Sequence, residues 1–251
     1  MQPEEWAPRT FGAHTTLETP DMAQDDISFT DFIASSIHDM KNSLNIQVNA
    51  LEEIALQCRQ RGDTPTFDSL GRVIYQANRM NVNLVQLLSL YKLGKAIYPT
   101  DISEQSVAEV IQEALLQDKT IMEFRGIAIT VECDPDCYWY FDRDLVTGVL
   151  INALNNAYNY TKDKIRVVAR VDDGFLELRV EDNGRGYPPN MLRNDGVASN
   201  KGVSFSSGST GLGFYFSSQV ARLHKNGDRQ GTLTIENGGA YGGGCFVVRL
   251  P

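Results

Sequence analysis

Four short stretches carry side chains whose types and spacing could do chemistry. In SSIHDMKNSL, residues 35–44, a single histidine, His38, is followed by Asp39 and then by Asn42. A neutral imidazole is a usable nucleophile near pH 7, and a neighbouring carboxylate can take the ring proton or hold the tautomer while the other nitrogen attacks. In NALNNA, Asn152 and Asn156 lie four apart with Asn155 alongside, so on a helix they share a face. Asparagine suits a helix interior poorly because its side chain competes for backbone hydrogen bonds. Its amide does offer an oxygen to Mg²⁺ and N–H groups to a phosphate. A solvated polar face is the plainer reading of the same run.

The third stretch is EDNGRG, residues 181–186, at the end of an apolar alternating run. An acid there can accept a hydrogen bond from an exocyclic amine, and Gly184 and Gly186 let the backbone turn and approach a flat ligand. DNG by itself is also an ordinary turn. The fourth is SSGSTGLGF, residues 206–214, in which Gly208, Gly211 and Gly213 feed straight into a helical pattern. Free N–H groups at such a helix start make an anion site. No Lys-Ser or Lys-Thr pair closes this loop, so it is not a P-loop, and the strand spacing of a dinucleotide fold is absent.

These groups need elements to position them. Residues 1–26 hold Pro3, Pro8, Pro20 and several acids without apolar periodicity, and read as a mobile tail or linker. Over 27–95, Ile33, Ile37, Met40, Leu44, Val48, Leu51, Ile54 or Ala55, and Cys58 recur at steps of three and four; RGDTPT breaks the run. A second series follows: Leu70, Val73 or Ile74, Ala77, Met80 or Asn81, Leu84, Leu87 or Leu88, and Tyr91. That is a helical hairpin whose stripes call for a further surface, either a second hairpin in a dimeric four-helix bundle or the rest of the same chain. His38 sits beside the seam residue Ile37 and should project towards solvent.

Residues 100–251 read as an α+β layer domain, a mixed sheet covered by helices. The expected order is helix (106–126), strand (127–133), helix (142–161), strands (164–173 and 175–184), helix (211–224) and strands (231–238 and 243–250). The 251 residues are 42% apolar, with a formal net charge of -9, which argues against binding duplex nucleic acid or a membrane surface through broad positive charge. No run reaches the length that spans a bilayer and no signal peptide is visible, so a cytoplasmic chain without direct membrane insertion is expected. Cys58, Cys133, Cys137 and Cys245 read as reduced structural thiols; CDPDC lacks the second ligand pair of a zinc site.

The order and separation of these pieces resemble a known family. The asparagine helix, the strand ending in DNGRG, the glycine-rich stretch ending in GSTGLG, the helix after it, and GTLTIENG and GGGCFVVRLP closely resemble the ATP-binding domain of sensor histidine kinases, over about residues 104–251. That domain belongs to the superfamily of Hsp90, MutL and type II topoisomerases. HDMKNSL resembles the H-box of the kinases' dimerisation and histidine phosphotransfer domain. The resemblance implies ATP and Mg²⁺ as ligands, with Asn156 as Mg²⁺ ligand, Asn152 near the phosphates and Asp182 reading the adenine amine. Gly184 and Gly186 would lie beside the base, and Gly211 and Gly213 would close over the phosphates. It implies that His38 is phosphorylated with Asp39 as base, that Asn42 orients water for dephosphorylation, and that the partners are a second copy and a response regulator receiver domain. The departures are Asn159 where the family often has Lys, with Lys162 or Lys201 as substitutes; no clear Phe-x-x-Phe between Tyr187 and Gly208, where Phe205 could serve; and Ser43 where Pro is common. A non-catalytic or phosphatase-only degenerate kinase, acting as a dimeric regulator-binding module, is the alternative; an ATP-driven clamp fits the hairpin poorly.

Overall fold

The computed structural model describes residues 22–192 and 211–251, the side chains of 22–30 and 118–125 excepted. Helix α1 (Met22–Gln60) and helix α2 (Thr64–Gly94) form the hairpin. Helix α1 starts ahead of the boundary read at residue 27. The reversal follows from RGDTPT: Gly62 takes φ +74°, and the Asp63 carboxylate accepts the Thr66 N–H at 3.2 Å to cap α2, with Pro65 in its first turn. Asn81 donates to Asn45 Oδ1 at 2.8 Å and sets the register between the helices.

The paired alternatives in the α2 series separate in space. Ile74 and Tyr75 are buried and belong to the same core as the C-terminal domain. Val73, Met80 and Leu87, spaced by seven, keep 51%, 55% and 53% of their surfaces exposed. The hairpin therefore packs on its own chain through one stripe and presents a second stripe outward.

The domain runs β1 (Ile102–Ser106), α3 (Val107–Arg125), β2 (Ala128–Glu132), β3 (Tyr138–Asp142), α4 (Arg143–Tyr160), β4 (Lys164–Asp172), β5 (Phe175–Asp182), the short α5 (Pro189–Leu192), α6 (Leu212–Leu223), β6 (Lys225–Asn226), β7 (Arg229–Gln230), β8 (Thr232–Gly238) and β9 (Gly243–Leu250). The main sheet has the order β2-β4-β5-β9-β8, with β2 parallel to β4 and the other pairs antiparallel. Strands β1 and β3 form a separate antiparallel ribbon that the sequence patterns do not announce, because ISEQS is polar and YWYFD lacks alternation.

Strand β5 shows why the sheet has two unlike faces. Leu176, Leu178 and Val180 alternate with Glu177, Arg179 and Glu181, so the apolar set meets the helices and the charged set lies on the far side. There Arg166 bridges Glu132 and Glu181, and Arg179 bridges Glu181 and Glu236. Burial opposes the charge on Glu181, but the Ala240 N–H and the two guanidiniums prevail and hold its carboxyl below the usual range. On the helical face, α4 buries Leu145, Val149, Leu150, Ala153, Leu154 and Ala157, and Asp142 caps it by accepting the Leu145 N–H at 3.0 Å. His224, after α6, ties the layers together: its Nε2 accepts the Asp142 N–H at 3.0 Å, and Nδ1 lies 2.8 Å from the Val220 carbonyl. No described helix is long and apolar enough to cross a membrane.

Candidate functional site

The period of β5 decides which acid of EDNG serves the site. Asp182 has the parity of Leu176, Leu178 and Val180, so it points beneath the helices, whereas Glu181 points to the ion-pair face. The Asp182 carboxylate is buried, which pushes its pKa up; it accepts the Gly184 N–H at 2.6 Å, which pulls the other way. Each further residue of the turn has its own task. Asn183 Oδ1 accepts the Lys162, Asp163 and Lys164 N–H groups and the Thr161 hydroxyl, fastening the end of α4 to the end of β5. A Cβ at Gly184 would collide with the Tyr160 carbonyl, so glycine is required there.

Asp182 opens into a cavity of about 420 Å³. Asn152, Asn155, Asn156 and Asn159, recurring along one face of α4, form one side, and Gly186, Tyr187 and Gly244 lie beside Asp182. The N-terminus of α6 forms another side through Gly211, Gly213 and Phe214. Gly211 adopts φ +63° as the helix cap, and Gly213 abuts the Asn152 side chain closely enough that any Cβ would strike its amide. Asn152 is held by donating to Ser217 Oγ at 3.1 Å. The Asn156 Nδ2 is buried and has no hydrogen-bond partner among the described residues.

The structure thus brings Asn152, Asn156, Asp182, Gly186, Gly211 and Gly213 to one cavity. Gly184 does not line it; it stands behind Asp182 and fixes that carboxylate. Lys162 does not line it either, because its backbone is drawn to Asn183; the cationic side chains on the wall, among the described residues, are Arg79 and Arg185. Lys201, Phe205 and Gly208 fall outside the described residues. Arg185 lies over the Tyr160 ring, 5.5 Å from its centroid.

Four contributors lie outside the candidate residues read from the sequence. Gly244 leaves room for the Asp182 carboxylate, for a Cβ there would meet Oδ2 at 2.8 Å; the glycine run 242–244 was the available signal. Asn237 accepts the Tyr187 N–H at 2.6 Å and donates to its carbonyl at 2.8 Å, holding that ring at the cavity. Tyr75 and Arg79 come from the hairpin, and no local pattern could have placed them there.

His38, Asp39 and Asn42 form a second group on α1. His38 and Asp39 are 70% and 77% exposed, and both neighbours address the same ring nitrogen: Asn42 Nδ2 is 3.2 Å from Nδ1, and Asp39 Oδ1 is 3.7 Å from it. The spacing of four puts Asn42 on the His38 face. Nε2 lies on the far side of the ring.

The cavity's donors fit a nucleotide with Mg²⁺. A buried carboxylate beside a close-approach glycine suits an amine on a flat base, and the α6 N-terminus suits phosphates. The unpartnered Asn156 amide offers a donor to phosphate, or its oxygen to a hard cation when turned over. No group of three or more His, Cys, Asp or Glu able to hold a metal occurs among the described residues, and Mg²⁺ bound with a nucleotide needs few protein ligands.

Residues 141–251 match the family described as Histidine kinase-, DNA gyrase B-, and HSP90-like ATPase. Sensor-like histidine kinase SenX3 of Mycobacterium tuberculosis is 22% identical over 97% of this chain, which spans 58% of its length. Sensor protein SrrB of Staphylococcus aureus is 22% identical over 88% of the chain, corresponding to 38% of that protein. Among solved structures, histidine kinase AdeS of Acinetobacter baumannii superposes with a TM-score of 0.55 over 81% of this chain and 96% of its own, at 18% identity. The catalytic domain of histidine kinase ThkA gives a TM-score of 0.51 over 60% of this chain and 97% of its own, at 22% identity. The similarity thus runs through the hairpin and the C-terminal domain alike.

Proposed function

We propose that this chain is the catalytic core of a cytoplasmic sensor histidine kinase, which phosphorylates His38 from ATP and passes the phosphoryl group to an aspartate of a response regulator receiver domain. In this reading 27–95, which α1 enters from Met22, is the dimerisation and phosphotransfer hairpin, and 100–251 is the ATP-binding domain. The observation that carries it is the cavity joining a buried Asp182, the Asn152–Asn156 face and the glycine-opened start of α6.

Asp182 accepts from the adenine amine, and Asn152 with the α6 N–H groups binds phosphates. Asn156 would hold Mg²⁺ by its amide oxygen, and the ion supplies charge neutralisation on the phosphates. At His38, Asp39 orients the Nδ1–H tautomer and leaves the Nε2 lone pair free to attack the γ-phosphorus; the bond to the bridging oxygen breaks, ADP leaves with its electrons, and Asp39 as base takes the Nδ1 proton as the N–P bond forms. An amide N–H of Asn42 on Nδ1 holds the other tautomer, with the proton on Nε2, so Asp39 and Asn42 compete for one nitrogen. Transfer onward breaks the N–P bond as the receiver carboxylate forms its O–P bond.

Geometry adds two requirements. Asn45 is level with Asn81, so His38 lies about 10 Å along the hairpin from the Asn81 level, at a 1.5 Å rise per residue. Transfer therefore calls for the ATP-binding domain to shift along the hairpin. The outward Val73, Met80 and Leu87 stripe has the heptad spacing of a helix-bundle seam and supports a homodimer.

The test is incubation of the chain with Mg²⁺ and γ-labelled ATP beside His38→Ala. Label that is lost in acid, survives base and is missing from the variant is the expected result. Label that persists in His38→Ala would move the phosphorylated residue elsewhere, and an unlabelled chain that still binds and dephosphorylates a receiver domain would establish the phosphatase-only alternative.

A further inference from the structure

The cavity does not belong to the C-terminal domain alone. Tyr75, Arg79, Val82 and Asn83 of α2 line it, and their spacing of four, seven and eight from Tyr75 makes them one face of that helix. The contact is built rather than incidental. Ile74 is fully buried in the domain's core, and Tyr75, only 6% exposed, stacks on Tyr158 of α4 with centroids 4.9 Å apart and planes at 26°. A second recess on the other side of Tyr75 is lined by Tyr158 and Asn159, so Tyr75 places α2 directly against the C-terminal end of the asparagine helix. Arg79 follows one turn later on the same face and borders the cavity with Asn155, Asn156 and Asn159.

The charge balance at that end is notable. The α4 face offers four neutral amides, Asp182 is the acid at the base end, and Arg185 lies on the wall beside the Tyr160 ring. A polyphosphate bound among the asparagines needs positive charge, and of the described residues Arg79 brings it to the α2 wall. Its guanidinium presents several N–H donors in a fixed fork matched to phosphate oxygens.

Building on the nucleotide reading of the cavity, we propose that Arg79 of the hairpin binds the nucleotide's phosphates, so that α2 is a wall of the nucleotide site and nucleotide binding is coupled to docking of the hairpin. The coupling is reciprocal: phosphates that engage Arg79 favour the docked arrangement, and undocking weakens their binding by the same factor. Release of ADP then loosens the domain for movement along the hairpin.

The test is equilibrium binding of adenosine, ADP and Mg²⁺·ATP to the full chain, to Arg79→Gln, to Arg79→Lys and to Asp182→Asn. Arg79→Gln should weaken ADP and ATP by about tenfold, the scale of a charge-assisted hydrogen bond, leave adenosine unchanged, and be partly restored in Arg79→Lys. Asp182→Asn should weaken all three alike. Wild-type ATP affinity in Arg79→Gln would overturn the proposal while leaving the nucleotide reading intact. An equal loss for adenosine would make Arg79 a structural wall residue and overturn it as well. Failure of the unaltered chain to bind any of the three would remove the nucleotide reading itself. Thermal unfolding of Arg79→Gln without ligand, expected within a few degrees of wild type, guards against a folding artefact.

Discussion

Leu176, Leu178 and Val180 on β5 are at most 3% exposed, whereas Val73, Met80 and Leu87 on α2 each keep more than half of their surface in water. Both sets recur regularly along an element, and both are of ordinary core composition. The sheet domain closes over its own apolar set because three helices lie across one face and ion pairs cover the other. A two-helix hairpin has no third layer, and its second stripe stays exposed among the described residues. The same contrast holds for the carboxylates: Asp182 is desolvated at a cavity, while Asp39 is 77% exposed beside the His38 imidazole, which in the proposed function must meet moving partners. A binding site profits from dryness, and a phosphoryl carrier profits from access.

If the outward stripe is a dimer seam, a charge there should have the largest effect. Met80→Glu is expected to raise the dimer dissociation constant about a thousandfold, because two-fold symmetry buries the unpaired charge twice. Sedimentation equilibrium checks it, and an unaltered monomer–dimer balance would show that the stripe is not the seam. Nucleotide affinity, set by the other region, should stay within about twofold.

Asp182→Asn comes next and sharpens the contrast from the other side. Nucleotide affinity should fall by about ten- to a hundredfold, the value of hydrogen bonds to a charged group, with the dimer untouched. Stability should move the opposite way. Burial raises the folded-state pKa of Asp182 above 3.8, so its stabilising neutral form is fully present below that value and is lost as pH rises through the folded pKa. The uncharged variant should melt at or above the wild-type temperature at pH 7, and the gap should close towards pH 4.

The smallest effect concerns His224. Burial lowers its pKa from 6.5, against the opposing pull of the Val220 carbonyl, so its contribution is present above 6.5 and is lost as pH falls through the depressed folded value. Between pH 7 and pH 5 the melting temperature of the sheet domain should fall, and in His224→Gln that fall should shrink by a few degrees. An identical pH slope in both proteins would assign the acid sensitivity to other groups.

Much of this was legible beforehand, and the misses have definite causes. Helices α1, α2, α3, α4 and α6 and the strands of the main sheet follow from apolar periods of 3.6 and 2, and the hairpin turn from Gly62, Asp63 and Pro65. Strands β1 and β3 were missed because a short ribbon resting on the domain needs no alternation of its own. The candidate set largely converges on one cavity, since asparagines four apart must share a face. Gly184, expected beside the base, donates its N–H to Asp182 in this structure, and its closeness to the Tyr160 carbonyl depends on a distant part of the chain. The substitute cation expected at Lys162 is absent from the cavity wall, while Arg79 and Arg185 are on it.

The sequence by itself determined the elements, the faces they present and the chemistry available on each, because these depend on interactions within a few residues: His38 with Asp39 and Asn42, Asn152 with Asn156, and Asp182 with the parity of β5. Tertiary structure alone decided which of two apolar stripes on α2 turned inward, and that choice carried Tyr75 and Arg79 to the cavity. The physical reason is that a helix surface fixes neighbours three and four residues away, whereas contact between residues 75 and 158 depends on how whole layers pack.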